Sequence, residues 1–415
     1  MFKRIPLVAL LLSVAVVLSS AFAVAPIRDA ATHADMSEAY LTRSMGYVML
    51  APLSNVLDTL TLLSKRQHIA LVLGVIVIFA VWRLVSSRRR SITGRQHLWS
   101  VAAMLIALLA TYAAAAALPR PMATLVTDNA NIARIDFHSH TAASHDGRPG
   151  WSAEDLREWH REGGYDVAYI TDHATVASAE QGMARNPTPA GEGVTILQGI
   201  EVTWNGEHVD VLGAQRVYKG ILTPNLRDVD EQGLRLASAF AGREPVVIWN
   251  HPRQLNPPRV TLATGPQTFG VRGIEVANGA PNSIDDVQRE RAGILALAET
   301  RNLTMTGGSD NHGWGSVAPS WTLMLLVGWR AMDAEALSRG IEATIRQGGV
   351  AATKVVERRV ADPTNAVGVV FTVVTAPARM LTTVSNDERL VWLVWIWILA
   401  GAGLWLRRKP KSAEV

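Results

Sequence analysis

The chain has 415 residues, of which 48% are hydrophobic and 18% are charged, and its mean hydropathy is +0.14. This composition excludes a disordered or fibrous chain and is more apolar than that of an ordinary soluble protein. The formal net charge is only +4, and the basic residues lie beside apolar runs, which argues against a nucleic-acid-binding surface. Because the chain has no cysteine, disulfides, thiolate metal ligands and cysteine nucleophiles are excluded.

Four apolar runs are long enough to cross a bilayer as helices, which takes about 20 residues. They are predicted at about 5–25, 68–85, 98–118 and 390–406. The first run also resembles a signal peptide, because Lys3 and Arg4 precede it and small residues lie at its end. The pattern predicts a membrane anchor of three helices over 1–118, and a fourth helix after a connector at 361–389.

Positive charge predicts how these helices cross the membrane. Lys and Arg residues cluster before the first run, between the second and third runs at 83–95, and after the last run at 407–411. The positive-inside rule places all three clusters in the cytoplasm. Residues 26–67 and 119–389 then lie on the other side, so the sequence predicts a multi-pass protein of the cytoplasmic membrane with an extracytoplasmic soluble domain.

A shorter amphipathic helix is predicted to begin near Pro52, between the first two apolar runs. Its apolar residues recur at helical spacing, at Leu53, Val56, Leu57, Leu60 and Leu63. The favoured interpretation is a helix that lies on the membrane or packs on the spans. A helix that binds a partner protein is the alternative.

Residues 130–360 alternate between short apolar runs and amphipathic stretches, which predicts strands and helices in turn. Strands are predicted at Ala133–Phe137, Val167–Thr171, Val194–Gln198, Val209–Gly213, Val246–Trp249, Gly273–Val276 and Leu303–Thr306. Helices are predicted after Ser152 and at Asp228–Ala241, Ile284–Arg301 and Asp333–Gln347. This alternation indicates a parallel α/β domain with a barrel as its closed form, in which the chemistry lies at the carboxyl ends of the strands.

Histidines and carboxylates follow the predicted strands where these end. The segments read Asp136-Phe-His-Ser-His-Thr141, Asp172-His173, Gly199-Ile-Glu-Val, His208-Val-Asp210, Asn250-His-Pro252 and Gly307-Gly-Ser-Asp-Asn-His312. In an extended His-x-His segment both rings lie on one side, because side chains alternate along a strand. Imidazole and carboxylate groups are the protein ligands of Zn²⁺, Mn²⁺ or Fe²⁺ when thiolates are absent. The sequence therefore predicts a metal centre.

The number of candidate ligands predicts more than one ion. About nine ligands exceed the four or five that one ion holds, so two or three divalent ions, bridged by Glu201 or an Asp, are expected. Such a centre can clamp a phosphoryl group and lower the pKa of a bound water from 15.7 towards about 7. The predicted reaction is in-line attack of this activated water on phosphorus.

The order of these motifs resembles that of the polymerase and histidinol phosphatase (PHP) domain. The resemblance covers about residues 133–350 and includes a closing helix, Asp333–Gly348, that is rich in Ala and Arg. It implies a distorted (β/α)7 barrel of PHP type with two or three metal ions. It also implies hydrolysis of phosphate esters, so the expected partners are a small phosphorylated substrate and the lipid bilayer.

Carried over residue by residue, the resemblance implies a set of metal ligands. They are His138, His140, His173, Glu201, His251, Asp310 and His312. Asp146 is preferred to His145 as a further ligand, because the segment Ser144-His-Asp-Gly147 is one residue longer than the usual Ser-Asp-Gly of the family. His208 and Asp210 are both candidates in their strand, since their side chains share a face.

Other side chains near these motifs have two interpretations each. The predicted catalytic residues are Asp146, Glu201, His251 and Arg253, and the first three are also predicted metal ligands. Arg253 would bind the substrate phosphate through a bidentate fork, and a surface salt bridge is the alternative. Asp172 is expected to orient a metal-bound imidazole. His145 and His160 are expected to be exposed to solvent. Core packing is expected for Trp204, Trp249, Trp314 and Trp321, and a stacking platform at Trp204 or Trp314 is the alternative.

Three functions fit this pattern. The favoured one is an extracytoplasmic, membrane-anchored, metal-dependent phosphoesterase. A related barrel that hydrolyses amides or lactones is the second, although such enzymes usually carry a metal-bridging carbamylated Lys and the Lys closest to the motifs is Lys219, which follows no strand-end ligand. The third is a non-catalytic module that binds metal or a ligand and signals through its spans.

Overall fold

The computed structural model describes residues 6–89, 93–173, 175–204, 207–212, 246–253, 255, 259–261 and 268–408. The predicted helix at Asp228–Ala241, the residue Lys219 and the side chain of Trp204 lie outside this description. The described strands are β1 Ile27–Asp29, β2 Ala39–Arg43, β3 Ala123–Thr127, β4 Ile132–Asp136, β5 Val167–Ile170, β6 Thr195–Trp204, β7 Glu207–Leu212, β8 Val246–Asn250, β9 Arg259–Thr261, β10 Thr268–Gly270, β11 Gly273–Asn278, β12 Thr304–Gly308, β13 Ser320–Leu325 and β14 Thr353–Arg358.

Helices form the long apolar segments and also pack against the sheet. The described α-helices are Leu7–Leu18, Met45–Met49, Ala51–Thr61, Lys65–Arg89, Gly94–Ala117, Ala153–Gly163, Ala177–Met183, Pro281–Arg301, Ala334–Gly348, Ala366–Val370, Thr372–Thr383 and Asn386–Arg408, and 3-10 turns lie at Ser19–Phe22, Ala190–Glu192, Trp329–Ala331 and Gly349–Ala352. The helix predicted after Ser152 begins with a capping box, in which the Ser152 hydroxyl accepts from the Asp155 N–H. The side chain of Asp333 caps Ala334–Gly348 in a related way.

Ten strands form one curled sheet in the order β1-β14-β13-β4-β5-β6-β7-β8-β11-β12. The seven predicted strands are present as β4 to β8, β11 and β12. Parallel pairing holds within β4-β5-β6 and within β8-β11-β12, but β7 is antiparallel to both of its neighbours. Only two residues separate β6 from β7, and a connection this short can join only antiparallel strands. The domain is therefore mixed α/β, where the sequence predicted a wholly parallel sheet.

The sheet curls until the extensions of β4 and β12 meet. Ser139 and Asn311 form an isolated parallel bridge just beyond these two strands. The His140 N–H donates to the Asn311 carbonyl at 2.9 Å, and the Asp310 N–H donates to the His138 carbonyl at 2.8 Å. The curl thus brings together, at the carboxyl edge of the sheet, two segments that are about 170 residues apart in the chain.

Three of the helices are long and apolar enough to cross a membrane. They comprise Lys65–Ser87, Gly94–Ala117 and Asn386–Leu406. The apolar helix at the N-terminus, Leu7–Phe22 with its 3-10 turn, is shorter, so a first span remains a prediction. Its Ala9 and Val16 pack against Ile396 of the C-terminal helix.

Residues on both sides of the helix pair Lys65–Arg89 and Gly94–Ala117 build one folded body. Strand β1 pairs with β14 at an edge of the large sheet, and β2 pairs with β3. The predicted amphipathic helix is present as Ala51–Thr61, and its Leu57 and Leu60 pack against Ala115 of a membrane-type helix. This contact agrees with the interpretation of a helix packed on the spans. Two helices that are long and apolar enough to cross a membrane separate the two parts of this body.

Buried polar contacts tie the C-terminal helix to this body. Asp58 is buried and pairs with Arg120 at 2.9 Å, and it also accepts a hydrogen bond from the Tyr47 hydroxyl at 2.9 Å. Asn55 donates to Glu388, in the first turn of the C-terminal helix, at 2.8 Å. Glu388 also pairs with Arg43 of β2 at 3.0 Å, and removing one partner of a buried ion pair typically costs about 3–5 kcal/mol, so this pair helps to hold the helix in place.

Candidate metal centre

The predicted ligands converge at the carboxyl edge of the curled sheet. The pairing of β5 with β6 ends at Ile170 and Gln198, and just beyond it His173 and Glu201 form an isolated bridge. Across the β6–β7 hairpin, Glu201 lies directly opposite Asp210. Opposed residues in a sheet share a face, and residues two apart on one strand share it too. Strand register therefore places these groups beside the extension of β4.

Glu201 lies at the centre of five imidazoles. Its Oε2 atom lies 3.3 Å from His138 Nε2, 3.2 Å from His140 Nε2 and 3.4 Å from His173 Nε2. Its Oε1 atom lies 2.7 Å from His208 Nδ1 and 3.8 Å from His251 Nε2. Its side chain is only 2% exposed. A carboxylate with different imidazoles at each oxygen is the arrangement expected of a group that bridges two ions.

Asp310 and His312 complete the inner cluster from the β12 side. The Asp310 Oδ1 atom lies 3.5 Å from the Nε2 atoms of both His138 and His140. The His140 and His312 rings stack with their centroids 4.2 Å apart. Asp146 reaches the cluster from the segment after β4, with its Oδ2 atom 3.2 Å from His312 Nε2. Because half of the Asp146 side chain is exposed, this is the side from which solvent reaches the centre.

Three overlapping groups of side chains have the spacing that one ion needs. In each group the donor atoms lie within 4.8 Å of one another: His138, His140 and Glu201; His140, His173 and His312; and His173, Glu201 and His208. Zinc–ligand bonds of about 2.0–2.2 Å allow donor atoms at such separations. His145 belongs to a fourth group with Asp146 and His173, but its side chain is 77% exposed. Asp146 is less exposed, at 44%, and the choice between the two as a ligand stays a prediction.

Asp210 supplies an independent test of whether a cation fits. The residue is fully buried, and the donor closest to its carboxylate, the side-chain amide of Asn250, makes no well-formed hydrogen bond to either oxygen. Burial raises the pKa of Asp210 well above its usual range. A buried carboxylate without a donor is costly, and buried charges in proteins are normally paired or bound to metal. The donor set thus fits divalent metal ions.

The electrostatics of the cluster lead to the same conclusion. Burial alone would raise the pKa of Glu201, but the neighbouring imidazoles hold it well below its usual range. Burial lowers the pKa of His140, but Asp310 and Glu201 outweigh it and raise the value to about 10. For His173 burial dominates and lowers the pKa to about 4. The carboxylates thus draw positive charge onto His140 but not onto His173, and a divalent cation would provide that charge in place of protons.

Sequence reasoning missed Glu275, a buried carboxylate in the middle of β11. Its Oε1 atom lies 3.2 Å from His138 Nδ1, and its Oε2 atom accepts the His251 N–H at 2.7 Å. It therefore orients the ring of His138, as carboxylates do for metal-bound histidines, and it holds the backbone of His251. A Cβ atom at Gly308 would lie 2.0 Å from Glu275 Oε1, which explains a glycine at this position. The only available signal was a lone Glu inside an otherwise apolar strand.

Glu275→Gln is expected to weaken metal binding about 10- to 100-fold, the usual effect of removing such an orienting partner. The amide keeps the shape of the side chain but replaces an acceptor beside His138 Nδ1 with a group that can donate. The check is a competition titration of the full-length protein against a metal chelator. Glu299→Gln, on the exposed face of Pro281–Arg301, is the matched control. An unchanged metal affinity in Glu275→Gln would contradict the orienting role.

Two expectations about polar side chains are wrong. His160 is fully buried, and its Nε2 atom lies 2.7 Å from the carboxylate of Asp136. Asp136 in turn accepts the His138 and Ser309 N–H groups, so this pair braces both ligand segments. The carboxylate of Asp172 accepts a hydrogen bond from the Thr141 N–H at 2.6 Å and another from the Thr141 hydroxyl at 2.7 Å. The expected partner of Asp172 was an imidazole.

The residue that takes the expected place of Asp172 is Ser144. Its hydroxyl lies 3.0 Å from His140 Nδ1 and accepts the His173 N–H at 2.9 Å.

Arg253 is half-exposed, and its Nε atom lies 3.7 Å from Asp286. The structure thus shows the surface salt bridge, and phosphate binding by Arg253 remains a prediction.

The tryptophans near the predicted site differ in how deeply they are buried. Trp249 and Trp321 are buried in the core, as expected. Trp314 is instead 48% exposed and lies next to Arg148, whose guanidinium is 5.7 Å from the centre of the indole ring.

Backbone strain also marks the site. His251 and Asp310 have φ angles of +26° and +49°, and both are predicted ligands. Positive φ is unfavourable for residues with a Cβ and persists where surrounding contacts enforce it, often at functional sites. The hydrogen bonds from the His251 N–H to Glu275 and from the Asp310 N–H to the His138 carbonyl supply those contacts.

Comparison with known proteins gives weak likenesses only. No protein-family model and no curated protein matches the chain. Among solved structures, PsfC from Pseudomonas syringae is 18% identical with a TM-score of 0.37, over 66% of this chain and 99% of its own. A two-domain protein from Bacteroides vulgatus with a predicted PHP-like metal-dependent phosphoesterase is 18% identical with a TM-score of 0.34, over 57% and 68%.

The lesion-specific endonuclease PfuEndoQ from Pyrococcus furiosus is 11% identical with a TM-score of 0.36, over 54% of this chain and 57% of its own. All of these TM-scores are below 0.5. The case for a function therefore rests on the side chains of the site.

Proposed function

We propose that this protein is a metal-dependent phosphoesterase of PHP type, anchored in the cytoplasmic membrane with its catalytic domain outside the cytoplasm. The observation that carries the proposal is Glu201, a buried carboxylate contacted by five imidazoles and lying opposite Asp210, whose buried oxygens accept no well-formed hydrogen bond. The order of the motifs along the chain resembles that of PHP domains, which supports the assignment to phosphate esters. The fold proposed is the distorted (β/α)7 barrel, with β4 to β8, β11 and β12 as its strands.

Two or three divalent ions would be held by the predicted ligands. The ligands are His138, His140, Asp146, His173, Glu201, His208, Asp210, His251, Asp310 and His312. When bound, the ions supply charge neutralisation of the phosphoryl oxygens and a water of lowered pKa. Hydrolysis adds this water to phosphorus, breaks the ester P–O bond and leaves a proton on the departing alcohol.

The protein's own groups would prepare this reaction. Glu275, Ser144 and the His160–Asp136 pair hold the imidazoles and the strand extensions in place. Asp146 is the half-exposed carboxylate of the cluster, so it is placed to exchange a proton with solvent or with the departing group. Preorganised polar groups of this kind need no reorganisation during the reaction.

The packing of the folded body supports the proposed topology. Strands β1 and β2 come before the helix pair Lys65–Arg89 and Gly94–Ala117, and β3 and β14 come after it, yet they pair with one another. In the proposed topology the two parts lie on one side of the membrane, which two crossings allow. The Arg residues between these two helices favour the cytoplasm for the short connection.

Amide or lactone hydrolysis is disfavoured by the lysines. Enzymes of that kind usually carry a carbamylated Lys between their metals. Within the described residues the only lysines are Lys65 and Lys354. Lys65 is exposed at the start of a membrane-type helix, and Lys354 pairs with Glu38 at 2.5 Å. Neither contacts the cluster.

The proposal is tested by assaying the purified full-length protein in lipid nanodiscs. The assay uses phosphomonoesters, phosphodiesters, a short oligonucleotide, and amide and lactone substrates. We expect hydrolysis of at least one phosphate ester, its loss on chelation, and its return when Zn²⁺, Mn²⁺ or Fe²⁺ is added. A metal-loaded, folded protein that hydrolyses only amides or lactones would favour the second function. One that hydrolyses nothing would favour the binding module.

A further inference from the structure

A cavity of about 390 Å³ connects the metal centre with the membrane-type helices. At one end it is bounded by the predicted ligands Asp146, Asp310 and His312. At the other end it reaches His68 and Tyr112, which lie on the helices Lys65–Arg89 and Gly94–Ala117. Its volume is within the range of small-molecule sites, about 300–1,000 Å³. The cavity thus runs from the groups that would perform the chemistry to the helices that would lie in lipid.

The walls between these ends are mostly apolar. They include Leu60, Leu62, Ala115, Ala116, Val317 and Pro319. Polar groups are concentrated at the two ends, at the carboxylates and imidazole of the metal centre and at the pair His68 Nδ1 and Tyr112 hydroxyl, which are 3.1 Å apart. A cavity with a charged end and an apolar body matches a molecule that has an anionic group and a hydrocarbon chain.

The metal centre also lies close to the expected depth of lipid head groups. The Gly315 N–H donates to the carbonyl of Ala116, at the end of Gly94–Ala117, at 2.8 Å. Gly315 follows His312 by three positions in the chain, and three residues span at most about 11 Å. A helix of 24 residues is about 36 Å long, and the hydrocarbon layer is about 30 Å thick, so Ala116 is at the edge of that layer.

This contact is fixed by tight packing. Gly315 has a φ angle of +82°, and a Cβ atom there would lie 2.6 Å from Thr61 Cγ2. Its carbonyl accepts the Trp159 indole N–H at 3.1 Å. The loop that carries Asp310 and His312 is therefore held against the helix end, and the metal centre keeps its distance from the bilayer.

We infer that the substrate is a lipid phosphate ester, whose phosphate lies at the metal centre and whose hydrocarbon chain lies in this cavity. The inference rests on the proposed phosphoesterase function and names its substrate class. A water molecule adds to phosphorus, the ester P–O bond breaks with its electron pair on the alcohol oxygen, and that oxygen takes a proton. A lipid substrate needs to move only a short way from the head-group layer, because His312 lies at most about 11 Å from the residue that contacts the helix end.

Chain length is the variable that tests this inference. The full-length protein in nanodiscs is assayed with alkyl phosphates and with p-nitrophenyl alkyl phosphates whose alkyl chains run from two to ten carbons. Each buried methylene contributes about 0.8 kcal/mol, or about fourfold in kcat/KM, if the chain binds the cavity. We expect kcat/KM to rise at least tenfold from two to ten carbons.

Filling the cavity should remove this preference. In Ala116→Phe, and independently in Thr61→Trp from the facing wall, the ratio of kcat/KM for ten carbons to two carbons should fall to about one. Ala107→Phe is the matched control, since residue 107 is exposed on the opposite face of the same helix, nine residues away. It should keep the ratio of the unmodified protein. Metal content equal to that of the unmodified protein shows that each variant is folded.

The outcomes separate the inference from the proposed function. Hydrolysis that does not depend on chain length, or a chain-length preference that survives both cavity-filling variants, would overturn the lipid substrate and leave a phosphoesterase for soluble esters. No hydrolysis of any ester, short or long, by the metal-loaded protein would overturn the proposed function itself. A preference that disappears only in the cavity variants supports the inference.

Discussion

Replacing His138 and His140 together with alanine is expected to reduce the bound metal from two or three ions per chain to one or none. Both Nε2 atoms lie within 3.5 Å of Glu201 Oε2 and of Asp310 Oδ1, so the substitution removes two nitrogen ligands from the region the carboxylates share. Elemental mass spectrometry of the full-length protein measures the change. The remaining carboxylates would then repel one another without a cation between them.

Controls for this experiment address folding and histidine number. His33→Ala/His97→Ala removes two histidines outside the cluster and should leave the metal content unchanged. The variant His138→Gln/His140→Gln keeps polar side chains of similar size, so it separates loss of ligands from loss of packing. Equal metal content in the alanine variant and the unmodified protein would show that the His-x-His segment does not bind metal.

Glu201→Gln should lower kcat/KM for the best phosphate ester on the order of 10³-fold, the scale of losses when one electrostatic group at a reaction centre is removed. The amide has nearly the shape of the carboxylate but lacks the negative charge shared among His138, His140 and His173. It therefore cannot bridge ions as a carboxylate does. Steady-state kinetics at several metal concentrations measure the effect.

Glu335→Gln is the matched control, because Glu335 is exposed on Ala334–Gly348 and pairs with Arg339 one helical turn away. Its kcat/KM should change less than twofold. If excess metal fully restores the activity of Glu201→Gln, the carboxylate contributes only to the affinity for the metal ions and not to the reaction step. If that variant is as active as the unmodified protein at all metal concentrations, the central role of Glu201 is wrong.

Much of the domain could be predicted because its signals are local. Each predicted strand is a mostly apolar run of four or five residues, and each ligand segment follows or flanks such a run. The alternation of side chains along a strand also predicted that His138 and His140 share a face, and their Nε2 atoms lie 3.0 Å apart. The direction of β7 was missed, although the two-residue connection to β6 carried that information.

The residues that support the ligands could not be predicted in the same way. Asp136 and His160 are 24 residues apart, and His138 and Glu275 are 137 residues apart, so no spacing links them. A lone polar residue in an apolar strand or on a helix has many interpretations until its partners are known. For Glu275 the buried partners are two ligand segments, and for His160 the partner is Asp136.

By itself the sequence determined the apolar helices, the strands of the α/β domain and the candidate ligands at strand ends, because hydrophobic runs and side-chain alternation are properties of neighbouring residues. Only the tertiary structure decided which buried groups brace those ligands, how β1 joins the large sheet beside β14, how β2 pairs with β3 in a separate sheet, and where the cavity runs. Those features depend on contacts between distant segments. The free energy of such contacts comes from burial and complementary charge in three dimensions, which no local pattern encodes.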